Sequence, residues 1–492
     1  MCCARSRQGW PAFDTLTGVN PRTIAAILAG KAAARASKLF GRGGGTAIAG
    51  LVAERIDPRV VAHLAAQGRA GSIAVTGTNG KTTTSLMLSR IAAEAGLRPL
   101  HNRSGSNLMR GVAAMLVDEA TPFGIIPDAS KRLAILEVDE ATLPQIMSAV
   151  DLRVALFTNL FRDQLDRYGE VDTVAKSWER ALHQAARDDG AAVIVALNAD
   201  DPAVAHLGTV APGRVVYYGV DDVRAGGAAD EHASDFRTCL RCGAELTYDV
   251  TFYGHIGHWR CAACGNARPR PDVRLTSISA VDDAVAGDAV ALTVALPGGD
   301  DVRLTLPLAG LYNAYNALAA IAGAMALGLP LDAIVRALER FSAAFGRQEQ
   351  FTIDGRDVRV LLSKNPAGLN QVLRSITARD GRKRFVFFLN DGIADGRDVS
   401  WIWDADYEMV QPQADYVLAA GTRAEDLALR LKYAGFGDDV PVEHDTARAL
   451  RRALGATPEG GTLHVVPTYT AMLAVRELLA KRSGAKRYWE GA

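Results

Sequence analysis

From residue 71 onward the chain alternates between short apolar runs and helix-length segments. The runs Ile73–Val75, Leu133–Val138, Val154–Phe157, Ala192–Leu197 and Arg214–Tyr218 read as strands. Strand, helix, strand in that rhythm predicts a mostly parallel, doubly wound sheet. The segment "CLRCGAEL…WRCAACG" at 239–265 interrupts it like an inserted module. Strand signals then resume at "VALTVALPGG", followed by an Ala-rich helix, Ala314 to Leu327. A second α/β unit begins near 350, with strands at Arg359–Leu362, Phe385–Leu389, Tyr416–Ala419 and Thr462–Val466. Ahead of all this, residues 1–70 are rich in Ala and Arg, with helical patches and a "GRGGGTAIAG" loop at 41–50. The expected organisation is an N-terminal helical segment over 1–70, a central domain over 71–345 with an insertion at about 236–268, and a C-terminal α/β domain over 346–492.

Composition narrows the class. At 492 residues two or three domains are expected. Lys+Arg and Asp+Glu are equal at 55 each, so charge gives no hint of a nucleic-acid partner. The longest charge-free apolar stretch, Ala317 to Leu331, is broken by Gly and Pro and falls short of a membrane span, so no transmembrane segment is expected. The N-terminus lacks the apolar core of a signal peptide, which predicts a cytoplasmic protein. Four of the six cysteines form two Cys-x-x-Cys pairs; the others are Cys2 and Cys3.

The stretch "IAVTGTNGKTTTSLMLSRI", Ile73 to Ile91, carries the first chemistry. It resembles a phosphate loop, yet the glycine expected five places before Gly80-Lys81 is Val75. Val75 ends an apolar strand and helical spacing runs from Ser85 to Ala95, so "TGTNGKTTT" is a strand-to-helix turn whose free N–H groups attract anions. Thr78, Asn79, Gly80, Lys81, Thr82 and Thr83 are the candidate nucleotide contacts. Gly77 and Gly80 permit close approach, Lys81 reaches terminal phosphates, and Thr82 or Thr83 can bind Mg²⁺. The competing reading is a glycine turn with a surface lysine.

The displaced glycine resembles the ATP loop of the Mur ligase superfamily, whose members make amide bonds in peptidoglycan and in folylpolyglutamate. The resemblance extends through "LEVDEATL" (136–143), "FTNLFRDQLDRYGE" (157–170, with Gln164 in place of the usual histidine), "LNADDP" (197–202), "GLYNAYNALAA" (310–320), "FGRQEQ" (345–350) and "KNPAGLNQVL" (364–373). It implies ATP and Mg²⁺ as cofactors, Glu137 on the Mg²⁺, Asn313 on the adenine with Asn198 and Asp201 as weaker contacts, and Arg347 on phosphate. Against these roles stand a solvated strand-end acid and helix-capping asparagines. Lys176 matches the superfamily's carbamylated lysine only loosely in spacing and is read as an ordinary helix lysine.

Cys239-x-x-Cys242, eighteen intervening residues, then Cys261-x-x-Cys264 is the spacing of a structural, tetrahedral Zn²⁺ ribbon. Each pair sits in a knuckle whose glycine permits a tight turn. His255 and His258 lie between the pairs, but four thiolates already complete a site. A redox pair and a nucleic-acid ribbon are the alternatives, disfavoured by the second pair and by sparse basic residues. The ribbon, absent from standard Mur ligases, and "FLNDGIADGRDVSWIWDADYE" (388–408) are similar to the MurT family within that superfamily.

That resemblance implies ATP-dependent amidation of the α-carboxylate of D-glutamate in lipid II, at the inner membrane face, through an acyl phosphate and ammonia. The ammonia source implied is a separate GatD-type glutaminase subunit in a heterodimer. One aspartate of this chain would complete the partner's triad: Asp398 first, Asp404 next, with Asp395 and Asp406 also present. Trp401 and Trp403 would suit a partner interface. Two readings compete: a stand-alone Mur or folylpolyglutamate-type ligase that adds an amino acid to a carboxylate, and a nonenzymatic zinc-ribbon scaffold that binds ATP only to hold its shape.

Overall fold

A computed structural model of the chain describes residues 20–39, 46–102, 106–163, 171–185, 192–227, 235–283, 287–342, 347–378 and 380–484. Cys2, Cys3, Gln164 and the side chain of Arg347 lie outside the described set.

Eleven strands precede residue 307: β1 Ser72–Thr76, β2 Arg98–His101, β3 Arg132–Glu137, β4 Val154–Phe157, β5 Ile194–Asn198, β6 Val215–Val220, β7 Thr247–Tyr253, β8 Ile256–Arg260, β9 Val273–Asp283, β10 Gly287–Ala295 and β11 Asp301–Leu306. Nine of them form one sheet in the order β11-β10-β9-β6-β5-β4-β1-β3-β2, while β7 and β8 form a separate antiparallel hairpin. Pairing in the large sheet is parallel from β2 to β9 and antiparallel only at the β9-β10-β11 edge. Chain order reverses at β1, which lies between β3 and β4; in open α/β sheets ligands bind at such a reversal, outside the carboxyl ends of the strands.

Both faces of this sheet are covered, so its strands can be apolar throughout. Helices Lys81–Glu94 and Leu311–Leu327 pack on one face with Ile73, Val75 and Leu156. Helices Pro21–Leu39, Thr46–Ile56 and Val60–Ala65 lie on the other, sharing a core with Ala74, Leu136 and Phe157. The N-terminal helices are therefore built into the same core as the sheet. Helix Leu311–Leu327 is apolar nearly all round and almost wholly buried, as a helix without a polar face must be.

The remaining strands are β12 Arg347–Ile353, β13 Arg356–Leu361, β14 Lys383–Phe388, β15 Ala414–Ala420, β16 Val442–Glu443 and β17 Thr462–Pro467, in the order β12-β13-β17-β14-β15-β16. All neighbours are parallel except β12 and β13. Those two form a hairpin turned by Asp354 and Gly355, with φ of 50° and 71°, the left-handed pair of a two-residue turn. β2, β7, β8, β9, β11, β12 and β16 extend the expected strand set. Helix Lys81–Glu94 begins ahead of the Ser85 start that spacing predicts, because Lys81 to Thr84 supply no apolar period and are held by tertiary contacts.

Candidate active site and four-cysteine centre

The parallel register puts Val75 beside Glu137 and Thr76 beside Phe157. Three carboxyl ends therefore converge: the loop at 77–83, the acids at 137–140 and the segment 158–161. The loop is held from beneath by that last segment. Thr78 N–H donates to Asn159 O (2.8 Å), Asn79 N–H donates to Asn159 Oδ1 (2.9 Å), and Thr158 Oγ1 donates to Asn79 O (2.8 Å). Thr78 Oγ1 also donates to Phe161 O, which leaves Thr78 behind the loop. Gly77 (φ 125°) and Gly80 (φ 89°) are left-handed, and a Cβ on them would overlap Thr158 Oγ1 and Asn316 Oδ1.

Gly80 is the N-cap of helix Lys81–Glu94, and no side chain caps it. Its first-turn N–H groups are thus left to an anion. Behind them, Thr82 Oγ1 donates to Glu137 Oε1 at 2.8 Å, while Glu137 Oε2 is buried with no hydrogen-bond partner among the described residues. Asn102 fixes the Glu137 backbone through two 2.8 Å bonds. A hydroxyl and an orphaned carboxylate oxygen side by side are the donor set a hard divalent cation takes.

Lys81 is nearly buried and turned back, donating to Gly77 O (2.5 Å), Thr78 O (3.2 Å) and Glu140 Oε1 (3.0 Å). Burial pushes the pKa of Glu140 up against the pull of Lys81 and then Lys364. Glu140 stands in the quoted "LEVDEATL", but its meeting with Lys81 is a tertiary contact that spacing does not show.

A cleft opens above the loop, lined by Asn79, Gly80, Thr83, Asn313, Asn316, Tyr253 and Tyr315, and by Lys364, Gly368 and Gln371 of the second α/β unit. The two units touch there: Asn365 Nδ2 donates to Asn79 Oδ1 (3.0 Å) and Lys364 pairs with Asp163 (2.5 Å). Asn198 and Asp201 do not reach the cleft. Asn198 is tied to Thr158 O, and Asp201 caps Ala203 and Val204 and accepts from Leu160 N–H. Lys176 lies on the exposed face of helix Val171–Ala185. Arg347 opens β12 opposite Leu361.

The four cysteine sulfurs lie within 4.8 Å of one another. Each knuckle repeats one turn: Cys239 N–H to Ala244 O (2.7 Å) with Gly243 at φ 77°, and Cys261 N–H to Asn266 O (2.7 Å) with Gly265 at φ 71°. Against burial, hydrogen bonds from Asn266 and from the N–H groups of Arg241 and Cys242 hold Cys239 down to about 6. Despite the Ala244 N–H that draws it down, Cys242 is pushed up to about 12 by its neighbouring sulfurs. Four crowded thiols cannot all ionise unless a cation joins them, and this set fits tetrahedral Zn²⁺. His258 and His255 face elsewhere, toward Val220 O (2.7 Å) and Asp201 (3.5 Å).

The C-terminal aspartates separate by environment. Asp395 is buried and bonded to Thr470 twice, and Asp406 exchanges two bonds with Asn370. Asp404 faces Arg162 at 3.7 Å. Asp398 is exposed; the hydroxyl and N–H of Ser400 hold its carboxyl below the usual range. Trp401 packs on the core, whereas Trp403 is about half exposed and meets exposed Tyr433 edge-on.

Comparison with known proteins adds to this geometry. Residues 75–256 match the Mur ligase middle domain, and residues 362–472 match the MurT ligase C-terminal family. The chain is 33% identical over 459 residues to the lipid II isoglutaminyl synthase (glutamine-hydrolyzing) subunit MurT of Staphylococcus aureus (strain N315), covering 93% of this chain and 98% of that one. It is 32% identical over 468 residues to the same-named subunit of Streptococcus pneumoniae (strain ATCC BAA-255 / R6), covering 94% and 98%. Among solved structures, a pseudomurein peptide ligase type C from Methanothermus fervidus shares the fold, with a TM-score of 0.62 and 21% identity over 84% of this chain and 78% of that one.

Proposed function

The chain belongs to the MurT family of Mur ligase-like proteins, and on that premise we propose that it is the ATP-using subunit of a glutamine-hydrolysing lipid II isoglutaminyl synthase. It is an ATP-dependent carbon–nitrogen ligase. Its substrate is the α-carboxylate of D-glutamate in the lipid II stem peptide, met at the inner membrane face, and its product is D-isoglutamine. No helix among the described residues is long and apolar enough to cross a membrane. One observation carries the reading: the uncapped start of helix Lys81–Glu94, with an orphaned buried oxygen of Glu137 beside the Thr82 hydroxyl.

Hydroxide is too poor a leaving group for direct displacement from a carboxylate at neutral pH. The first-turn N–H groups take the phosphate tail, Asn313 takes the adenine, and Lys81 exchanges Glu140 for the phosphoryl group in transfer. Thr82 and Glu137 would hold Mg²⁺, which offsets phosphate charge when bound. The Arg347 side chain is assigned to phosphate on family resemblance alone. The carboxylate oxygen takes the γ-phosphoryl and ADP leaves. Ammonia nitrogen then attacks the acyl carbon, the carbon–oxygen bond to phosphate breaks, and nitrogen gives up a proton. Cys239, Cys242, Cys261 and Cys264 would hold a structural Zn²⁺ that pins the ribbon.

Free ammonia is mostly protonated at pH 7, so a GatD-type glutaminase partner supplies it in a heterodimer. Asp398, exposed and ionised, orients the partner's histidine. Purified chain and partner, given ATP, Mg²⁺ and lipid II, should amidate with glutamine or with ammonium. Asp398→Asn should cost about 10³-fold or more with glutamine and little with ammonium. Amino-acid-dependent turnover of ATP by the chain alone would instead make it a stand-alone ligase.

A further inference from the structure

The phosphate chemistry makes no demand on the cysteine ribbon, yet the ribbon reaches the nucleotide cleft. Its cysteines lie at one end of the β7–β8 hairpin and the Gly254–His255 turn at the other. At that turn Tyr253, almost buried, forms part of the cleft wall beside Asn313. Its ring stacks on Phe161 (6.0 Å, 19°) and meets Tyr315 edge-on (5.6 Å, 87°). Phe161 N–H in turn donates to Thr78 Oγ1 of the phosphate loop (2.9 Å). One residue back, Phe252 O accepts from Arg374 at 2.9 Å, and Arg374 belongs to the helix whose Gly368 and Gln371 also line the cleft.

A two-stranded hairpin is marginal by itself in water, and this one is held at two places: Phe252, Tyr253 and Ile256 join the core of the large sheet, and the four cysteines close the opposite end. Four thiolates on one metal would fix that end and so steady the turn through the hairpin. We propose that the ribbon is a working wall of the nucleotide site: Tyr253 offers aromatic surface to the bound base, and metal occupancy of the four cysteines is thermodynamically coupled to nucleotide occupancy of the cleft. The inference rests on the reading of this cleft as a nucleotide site.

Coupling between sites is reciprocal, which gives a sharp test. With the full chain and its partner subunit, the affinity for ADP is measured by calorimetry with and without Zn²⁺. Zinc affinity is measured by competition with a chelator, with and without ADP. Both couplings should show the same factor, about fivefold or more. Tyr253→Ala should weaken ADP about tenfold, keep one zinc per chain and a native circular dichroism spectrum, and shrink the coupling toward unity; Tyr253→Phe should retain both. Unchanged ADP affinity in Tyr253→Ala, or zinc affinity indifferent to ADP, overturns the proposal while leaving the cleft a nucleotide site. A wild-type chain that binds no adenine nucleotide overturns both.

Discussion

Two strand-to-helix turns face each other across the cleft, and they are built to opposite ends. After β1, helix Lys81–Glu94 starts at left-handed Gly80 with no capping side chain. After β13, helix Pro366–Thr377 starts at Asn365, whose side chain accepts from Gly368 N–H at 2.8 Å, with a proline that has no N–H to give. Both helices carry the same dipole, but only the first leaves its donors open. A helix start is an anion site when the chain declines to cap it. The second turn contributes side chains instead: Asn365 to Asn79 and Lys364 to Asp163. One turn is made to receive phosphate and the other to hold the two units together.

The largest effect should come from exchanging glycine for alanine at each turn. At Gly80, alanine must sit at φ 89° with its Cβ in the place of Asn316 Oδ1. Left-handed strain costs about 1–2 kcal/mol of stability, and a loop that shifts to relieve the overlap carries its N–H groups off the phosphate, so ATP affinity should fall about tenfold or more. At Gly368 the new Cβ would lie 2.9 Å from Asn365 Oδ1, which must move slightly while keeping its bond from Gly368 N–H, and the helix propensity gained, about 1 kcal/mol, offsets that. Affinity there should change less than about threefold. Calorimetric titration of both variants decides the matter; equal losses would mean that the second helix start also binds phosphate.

A smaller effect separates capping from contact at Asn365. Asn365→Ala removes the cap, about 1 kcal/mol, and should lower the melting midpoint by about 2–4 °C while raising KM for ATP. Asn365→Asp keeps an acceptor for Gly368 N–H but loses the Nδ2 donor to Asn79 Oδ1 at 3.0 Å. Its midpoint should stay near wild type while its KM rises. A KM that follows the midpoint in both variants would show that the bridge to the phosphate loop carries no weight.

The two turns were also unequally legible. The first announces itself as a glycine-lysine-threonine run after an apolar strand, and a helix follows, starting at Lys81 rather than at the Ser85 that spacing implies. The four cysteines were visible in the same way, since ligand spacing is local. What sequence could not carry is contact across distance: Glu140 under Lys81, Asn365 against Asn79, Tyr253 swung from the ribbon into the cleft. Asn198 and Asp201 teach the converse. Resemblance implies weak nucleotide contacts for them, and here both side chains bond to the scaffold; the Asn313 amide is likewise bonded, to Ala309 O and Asn316, but it lines the cleft. The β12–β13 hairpin has a local signal, Asp354-Gly355, which lies in turn chemistry and not in the pattern of apolar runs.

The smallest expected effect concerns the acid beneath each turn. Lys364 and Asp163 pair where the lysine still meets water, but Lys81 and Glu140 pair out of its reach. Burial raises the pKa of Glu140, with Lys81 and Lys364 opposing. A carboxyl that is harder to ionise folded than unfolded binds more protons in the native state. Stability therefore falls as pH rises from the ordinary carboxylate range through the elevated value, where the charge forms in a dry site. The same charge clamps Lys81. On acidification Glu140 takes a proton, Lys81 loses its ionic partner, and the lysine is released toward phosphate. Glu140→Gln should thus bind ATP a few-fold tighter than wild type at neutral pH and show a flatter pH profile of affinity. Should the variant bind more weakly across the whole range, Glu140 must be steering Lys81 into the phosphate rather than restraining it, and the uncapped helix start would depend on a buried acid as closely as the capped one depends on its asparagine.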